Sequence, residues 1–306
     1  MPTKPGTRDL LWMVVGAAGL LVVMLLVWHF RDQQTPAAQL AFKAKRIALV
    51  ESMRLNLASA SEAEKSAVMA ITDADSQIYA DQARAAATTV DQARTELGEL
   101  LQTGGNQNER DLLAQFSNAF TEFQRIDKDL LDLAVKNTNL KASSLAFGPA
   151  AAALTEMDAA LARLVSDDVK VTRLADDVRI AALRLQTLLP PHIAEESDQK
   201  MDEMEAQMTR EDREVRRSLD ALSALPGLSD NPDLKIATTS YARFNETRAQ
   251  ILKLSRENTN VRSLTISLTQ KRKVMSVCQD ALVALQQAIQ NEPIVGATVG
   301  KAISPR

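Results

Sequence analysis

Residues 120–141 read FTEFQRIDKDLLDLAVKNTNLK, and 121 positions later residues 241–262 read YARFNETRAQILKLSRENTNVR. Phe120 and Phe123 answer to Tyr241 and Phe244, Leu130 and Leu133 to Ile251 and Leu254, and the triplet Asn137-Thr138-Asn139 to Asn258-Thr259-Asn260. The correspondence runs on through Met157-Asp-Ala-Ala-Leu161 against Cys278-Gln-Asp-Ala-Leu282. Upstream, Ile71, Gln77 and Leu97 align with Ile193, Gln199 and Leu219 once the register moves by one residue. Self-similarity at this spacing describes a duplicated supersecondary unit. In both copies the apolar residues fall in steps of three and four, through Phe116, Phe120, Phe123, Ile126, Leu130 and Leu133 in the first, which is the seam of a coiled-coil-like helix. Asparagine then stands where such a seam would carry leucine.

Composition agrees with helices. Aromatic residues make up 4% of the 306, and Gly and Pro, ten each, gather at a few places; sheets would draw on more aromatic and turn residues. Those places are Gly104-Gly105, Gly148-Pro149, Pro190-Pro191 and Pro226-Gly227 with Pro232. Gly104 to Asn106 and Pro226 to Pro232 occupy equivalent positions, which predicts two hairpin tips, each between an up helix and a down helix. The predicted fold is all-α: an elongated antiparallel helical bundle of the four-helix-bundle type, built from two duplicated long hairpins at 35–166 and 167–291. Ser166-Asp167-Asp168 supplies cap residues at the handover. Pro190-Pro191 is expected to interrupt or kink the third arm, Gly148-Pro149 to break the second, and Ile71-Thr72-Asp73 to restart a helix.

Leu10 to Trp28 contains no charge, Pro, Asn or Gln. Nineteen residues at about 1.5 Å each reach roughly 30 Å, the hydrocarbon thickness of a bilayer. The chain's two tryptophans, Trp12 and Trp28, lie at its ends, where amphipathic rings favour the headgroup layer. The segment closes on Val-Trp-His-Phe-Arg-Asp and not on small residues, which predicts an uncleaved anchor. The expected layout is a short cytoplasmic N-terminus at 1–9, a transmembrane helix at 10–30, the two hairpins outside the cytoplasm, and a flexible tail at 292–306. The localisation that follows is the bacterial inner membrane, single-pass, with a periplasmic helical body.

A net charge of −3 without a basic stripe argues against nucleic acid. Cys278 is alone, so no intrachain disulfide forms, and its match to Met157 makes it a core position. His29 and His192 lack nearby Cys or His, and neither a glycine-rich phosphate loop nor a nucleophile constellation is visible. No metal, cofactor or enzyme activity is expected. Met201, Met204 and Met208 read as core filling on a helix whose other faces, Glu195 to Arg217, are charged and solvated or face a partner.

The residues that remain for function form a belt. Asn137 and Asn258 lie on the seam, level with the interruptions near Thr72 and Pro191 and with Asp73, Asp75, Glu195 and Glu196. Buried amides need partners, and two readings are open: they fix helix register, or with Asn139, Asn260, Thr72 and Asp75 they cradle a small polar ligand. Exchanging Asn137 and Asn258 for leucine separates the two readings: a stiffer protein with unchanged ligand binding would leave only the register role.

The anchor running into a long helix, with Ala63-Glu-Lys-Ser-Ala-Val-Met69, Ala80-Asp-Gln-Ala-Arg84 and the stretch from Asp129 to Leu145, resembles the four-helix-bundle sensory module of methyl-accepting chemotaxis receptors. The resemblance covers residues 10 to 165, and the second repeat is similar to the two-module helical sensors of that class. It implies a periplasmic ligand-sensing bundle in signal transduction, dimeric through its helices or paired with a receptor or kinase. Receptors of this class continue into a second span and a cytoplasmic signalling hairpin, whereas only Glu292 to Arg306 follows here, so the expected output passes through a partner. The alternative is an envelope scaffold or spacer that binds other helical proteins.

Overall fold

The computed structural model describes residues 23–24, 35–164 and 168–294. Of the expected membrane helix only Val23 and Met24 fall within that range, both helical, and the rest of the span lies outside the described residues. No helix among the described residues is long and apolar enough to cross a membrane.

The helices are α1 (Pro36–Met69), α2 (Asp73–Gly104), α3 (Gln107–Ala134), α4 (Thr138–Leu145), α5 (Ala151–Leu164), α6 (Val169–Ala194), α7 (Asp198–Ser223), α8 (Pro232–Glu257), α9 (Thr259–Ile266) and α10 (Arg272–Asn291). π-turns at Ala146–Ala150 and Ser267–Lys271 join α4 to α5 and α9 to α10. No strand occurs among the described residues, so the all-α expectation stands. The caps are legible in the sequence: Asp168 Oδ1 accepts from the Lys170 amide at 2.8 Å, and Asn231 Oδ1 accepts from Asp233 and Leu234.

The long hairpin arms differ from expectation. The chain reverses at Ala70–Thr72 and again at Glu195–Ser197, so each predicted up arm is itself a helical hairpin. Ser76 Oγ donates to Ala67 O across the first reversal, and farther along the pair Lys45 meets Glu96 at 2.8 Å, as antiparallel helices require. Likewise His192 meets Glu205 and Arg184 meets Glu211 across the second. Local capping makes the break: Thr72 Oγ1 accepts from the Asp75 amide at 3.0 Å and Ser197 Oγ from Lys200, so a new helix starts at once, in a direction that packing and not the cap selects. Pro190 and Pro191 themselves lie inside α6, which runs to Ala194, and the arm is interrupted just after them at Glu195–Ser197. They fall in its last turns, where only the carbonyls one turn back lose amide partners. Gly148-Pro149 does not break its helix either. The π-turn absorbs the missing amide, and the equivalent π-turn at Ser267–Lys271 holds no proline, so this bulge is a property of the repeat.

The chain forms two compact units that cut across the repeats. One comprises, of the described residues, 23–24, 35–58, 86–120 and 276–294. Its core is built from Val50, Met53 and Leu57 of α1, Val90, Leu97 and Leu101 of α2, Leu113, Phe116 and Phe120 of α3, and Cys278, Leu282, Leu285 and Ile289 of α10, all buried. The three-four spacing on every helix gives a four-helix bundle with coiled-coil-like layers. Its α2–α3 tip is fixed by Asn106, whose Oδ1 accepts from the Glu109 amide at 2.9 Å, and by Arg110, which donates to Gly105 O. A Cβ on Gly105 would stand 2.9 Å from the Leu101 backbone, so the turn demands glycine.

The other unit comprises 59–85 and 121–275. Its larger core joins α5, α6, α7 and α8 through Leu154, Leu161, Leu185, Met208, Val215 and Phe244 among others. Tyr241 is buried there and its hydroxyl donates to Asp212 Oδ1 at 2.6 Å, so the one polar end of the ring is satisfied. A second cluster gathers Ala67, Val68, Ala80, Ala83, Leu130, Leu131 and Ala134. Met201 and Met208 are buried, in agreement with core filling. Leu133 and Leu254 are only partly buried, and both at the same repeat position, because the helix ends just beyond them.

Candidate functional site

Both asparagine triplets sit at breaks in the helices. Asn137 (φ 50°) separates α3 from α4, Asn258 (φ 53°) separates α8 from α9, and they are the non-glycine residues with positive φ among those described. Asparagine is, after glycine, the residue that tolerates this left-handed conformation best. A helix that starts afresh leaves its first amides without intrahelical partners. Here each repeat caps the other. The Thr138 amide donates to Thr259 Oγ1 at 3.2 Å and the Thr259 amide to Thr138 Oγ1 at 3.1 Å. The Asn139 and Asn260 amides donate to Asn260 Oδ1 and Asn139 Oδ1, each at 3.1 Å.

The side-chain amides complete the same exchange. Asn139 Nδ2 donates to Asn258 Oδ1 at 2.7 Å, and Asn260 Nδ2 to Asn137 Oδ1 at 2.9 Å. Asn137 Nδ2 reaches Asp73 Oδ1 on α2, while Asn258 Nδ2 reaches Glu195 O and Asn139 Nδ2 also reaches Ile193 O in the α6–α7 turn. Lys141 and Asn137 together hold the Asp73 carboxyl below its ordinary range. The result is a clasp with a local two-fold pattern that ties the two repeats together at one level. Each of its amide groups is engaged within the protein.

Four of the six residues expected to cradle a ligand, Asn137, Asn139, Asn258 and Asn260, are therefore brought together. Thr72 and Asp75 are not among them. Both are exposed at the start of α2, Thr72 just before it and Asp75 in its first turn, where Thr72 Oγ1 donates to Asp75 Oδ2 at 2.7 Å as part of the helix cap. Leucine at 137 and 258 would also have to adopt a φ near 50°, which strains a residue with a Cβ, so that exchange perturbs the backbone as well as the polar contacts.

His192, next to the clasp, is fully buried with Nδ1 2.8 Å from Ser255 Oγ and Nε2 2.9 Å from Glu205 Oε1. Burial pulls its pKa below the ordinary 6.5, against the opposing pull of Glu205. Arg256 completes this edge by donating to Glu205 Oε1 at 2.7 Å.

Two buried charged layers were not foreseen. In the larger unit, Lys271 on the π-turn pairs with Asp127, and its ammonium lies 3.3 Å from the centre of the Phe123 ring. Glu64 shares that interior, fully buried, with neither carboxyl oxygen in a hydrogen bond. Burial raises its pKa, while the Ser267 hydroxyl, close by but outside good hydrogen-bond geometry, and the Lys271 charge pull it back. In the smaller unit, Arg46 is 1% exposed between two carboxylates: Nη1 donates to the buried Glu109 Oε2 at 2.6 Å and Nη2 to Glu292. The heptad spacing held the signal. Arg46 stands seven residues before Met53, Glu109 seven before Phe116, Glu292 seven after Leu285, Glu64 seven after Leu57, Asp127 seven after Phe120, and Lys271 seven before Cys278, so all six continue core registers.

Arg46 also borders a cavity of about 450 Å³ walled by Phe42, Lys43, Gly104, Glu292 and Ile294. A groove of about 350 Å³ between α5 and α6 is lined by Leu154, Thr155, Ile180 and Leu183, with Asp158 and Arg179 paired at its edge. Glu292 is held, not loose: Lys43 Nζ donates to Gln290 O at 2.6 Å and Glu292 O at 2.8 Å. The first residues of the expected flexible tail are thus pinned, and 295–306 lie outside the described residues. Among the described residues no group of three or more His, Cys, Asp or Glu is gathered as metal ligands. No model of a known protein family matches this chain, and a search of curated proteins finds no significant relative.

Proposed function

We propose that this protein is a membrane-anchored, chemoreceptor-like sensory module that binds a small solute or an accessory protein outside the cytoplasm and reports through a partner. The observation that carries this reading is the cavity at Phe42, Lys43 and Arg46, whose volume lies in the range of small-molecule sites and whose wall combines an aromatic ring with buried charge. The clasp is read as a rigid tie between the repeats, supported by the bonds its amides already make to one another. Repeats locked together at one level would let a change at one place bear on both copies.

The test is a metabolite screen on the full chain in lipid nanodiscs, read as the midpoint of thermal unfolding. A solute at a hundred times its dissociation constant adds about 2.7 kcal/mol. A screen in which no solute moves the midpoint would remove this reading. A second reading, an envelope scaffold, is favoured by the α5–α6 groove, where Ile180 and Leu183 are exposed side by side on one helix face. A flat screen together with loss of a helical partner on Ile180→Asp would favour it.

A further inference from the structure

Arg46 lies deep in the smaller unit, yet its hydrogen bonding is incomplete. Nη1 is committed to Glu109, a carboxylate with no exposure, while Nη2 is met by Glu292, whose side chain is 27% exposed. Nε is buried and has no partner. Burying a guranidinium donor without an acceptor is costly, and a planar guanidinium is built to take a second carboxylate in a two-pronged grip. Beside it lies a cavity of about 450 Å³ with the Phe42 ring 4.6 Å from the guanidinium carbon. The local charges are two cations, Lys43 and Arg46, against two anions, Glu109 and Glu292. Removing Glu292 from the set leaves one positive charge for a replacement anion. Glu292 also stands just beyond the end of α10, so it can leave without breaking a helix, at the cost of the Lys43 hydrogen bond to Glu292 O.

We propose that this cavity is a site for a small carboxylate with a short apolar or aromatic body, and that Glu292 is its built-in competitor. The solute carboxylate takes the place of the Glu292 carboxylate on Arg46, its apolar part lies against Phe42 and Ile294, and the segment Glu292–Ile294 is released. This rests on the sensory reading and specifies its ligand class and the first movement that binding produces.

The experiment uses the full chain in nanodiscs of neutral lipid, with propionate and benzoate as probes and with propionamide, benzamide and sodium chloride at matched ionic strength as controls. A nitroxide at Pro293→Cys, an exposed position, reports release of the segment, while the buried Cys278 stays unlabelled. Carboxylates should mobilise the label and amides and chloride should not. Glu292→Gln should bind the carboxylates about tenfold more tightly, as expected from removing one charge-assisted competitor, and Arg46→Lys should weaken them by at least as much. An immobile label under saturating carboxylate, or equal affinities in the Glu292→Gln and native chains, overturns the proposal. If Glu292→Gln loses its helical circular dichroism, the label in the native background decides alone. A neutral solute that stabilises the chain while the label stays fixed overturns this site and leaves the sensory reading standing. A metabolite screen that moves neither the native chain nor Glu292→Gln removes both.

Discussion

Replacing Asn258 separates a kink from a register mark. As a polar residue on an otherwise apolar seam, asparagine lowers stability to fix alignment, and leucine in its place would raise stability. With φ at 53° and both ends of the amide engaged, the structure requires the opposite. Asn258→Gly keeps the backbone conformation and loses two hydrogen bonds, to Asn139 and Glu195, which at about 1 kcal/mol each costs roughly 2 kcal/mol. Asn139 keeps its bond to Ile193 O, so the loss stays at this level. Asn258→Leu loses the same two bonds and adds about 1–2 kcal/mol for a left-handed residue with a Cβ, a total of roughly 3–4 kcal/mol. Guanidinium unfolding followed by far-ultraviolet circular dichroism measures the order. A leucine variant as stable as the glycine variant, or more stable than the native chain, would refute the clasp as the reason for these asparagines.

Thr138→Val and Thr259→Val should each orphan a buried amide of the other repeat, at about 1–3 kcal/mol, and the double variant should cost clearly more or less than their sum in a double-mutant cycle. Lys271→Met leaves Asp127 buried without its cation and should cost about 3–5 kcal/mol, most of which Lys271→Met with Asp127→Leu recovers, again by chemical unfolding. Glu64 has a folded pKa above its ordinary 4.5, so its contribution is complete below that pH and is lost as pH rises through the folded value. Glu64→Gln should therefore flatten the decline in stability above pH 4.5, and an unchanged pH profile would contradict the buried acid. Gly105→Ala should destabilise by about 1–3 kcal/mol because its Cβ meets the Leu101 backbone, which thermal unfolding reads directly.

The sequence alone determined that the chain is helical, that it is duplicated, which residues form the apolar seam of the two related helices, and that the two Asn-Thr-Asn triplets share one role. Each of these follows from periodicity, which a single strand of text carries in full. It did not determine direction. Whether the chain continues or reverses at Ala70–Thr72 and Glu195–Ser197 depends on which neighbour covers the apolar stripe after the cap, and that neighbour lies far away in the chain. Nor did it decide what the asparagines bond to, because their acceptors and donors come from the other repeat, 121 positions off. The charged layers were hidden for a related reason. Heptad spacing puts Arg46, Glu109 and Glu292 on core registers, but only packing three distant segments together turns them into a single buried group with a cavity at its side.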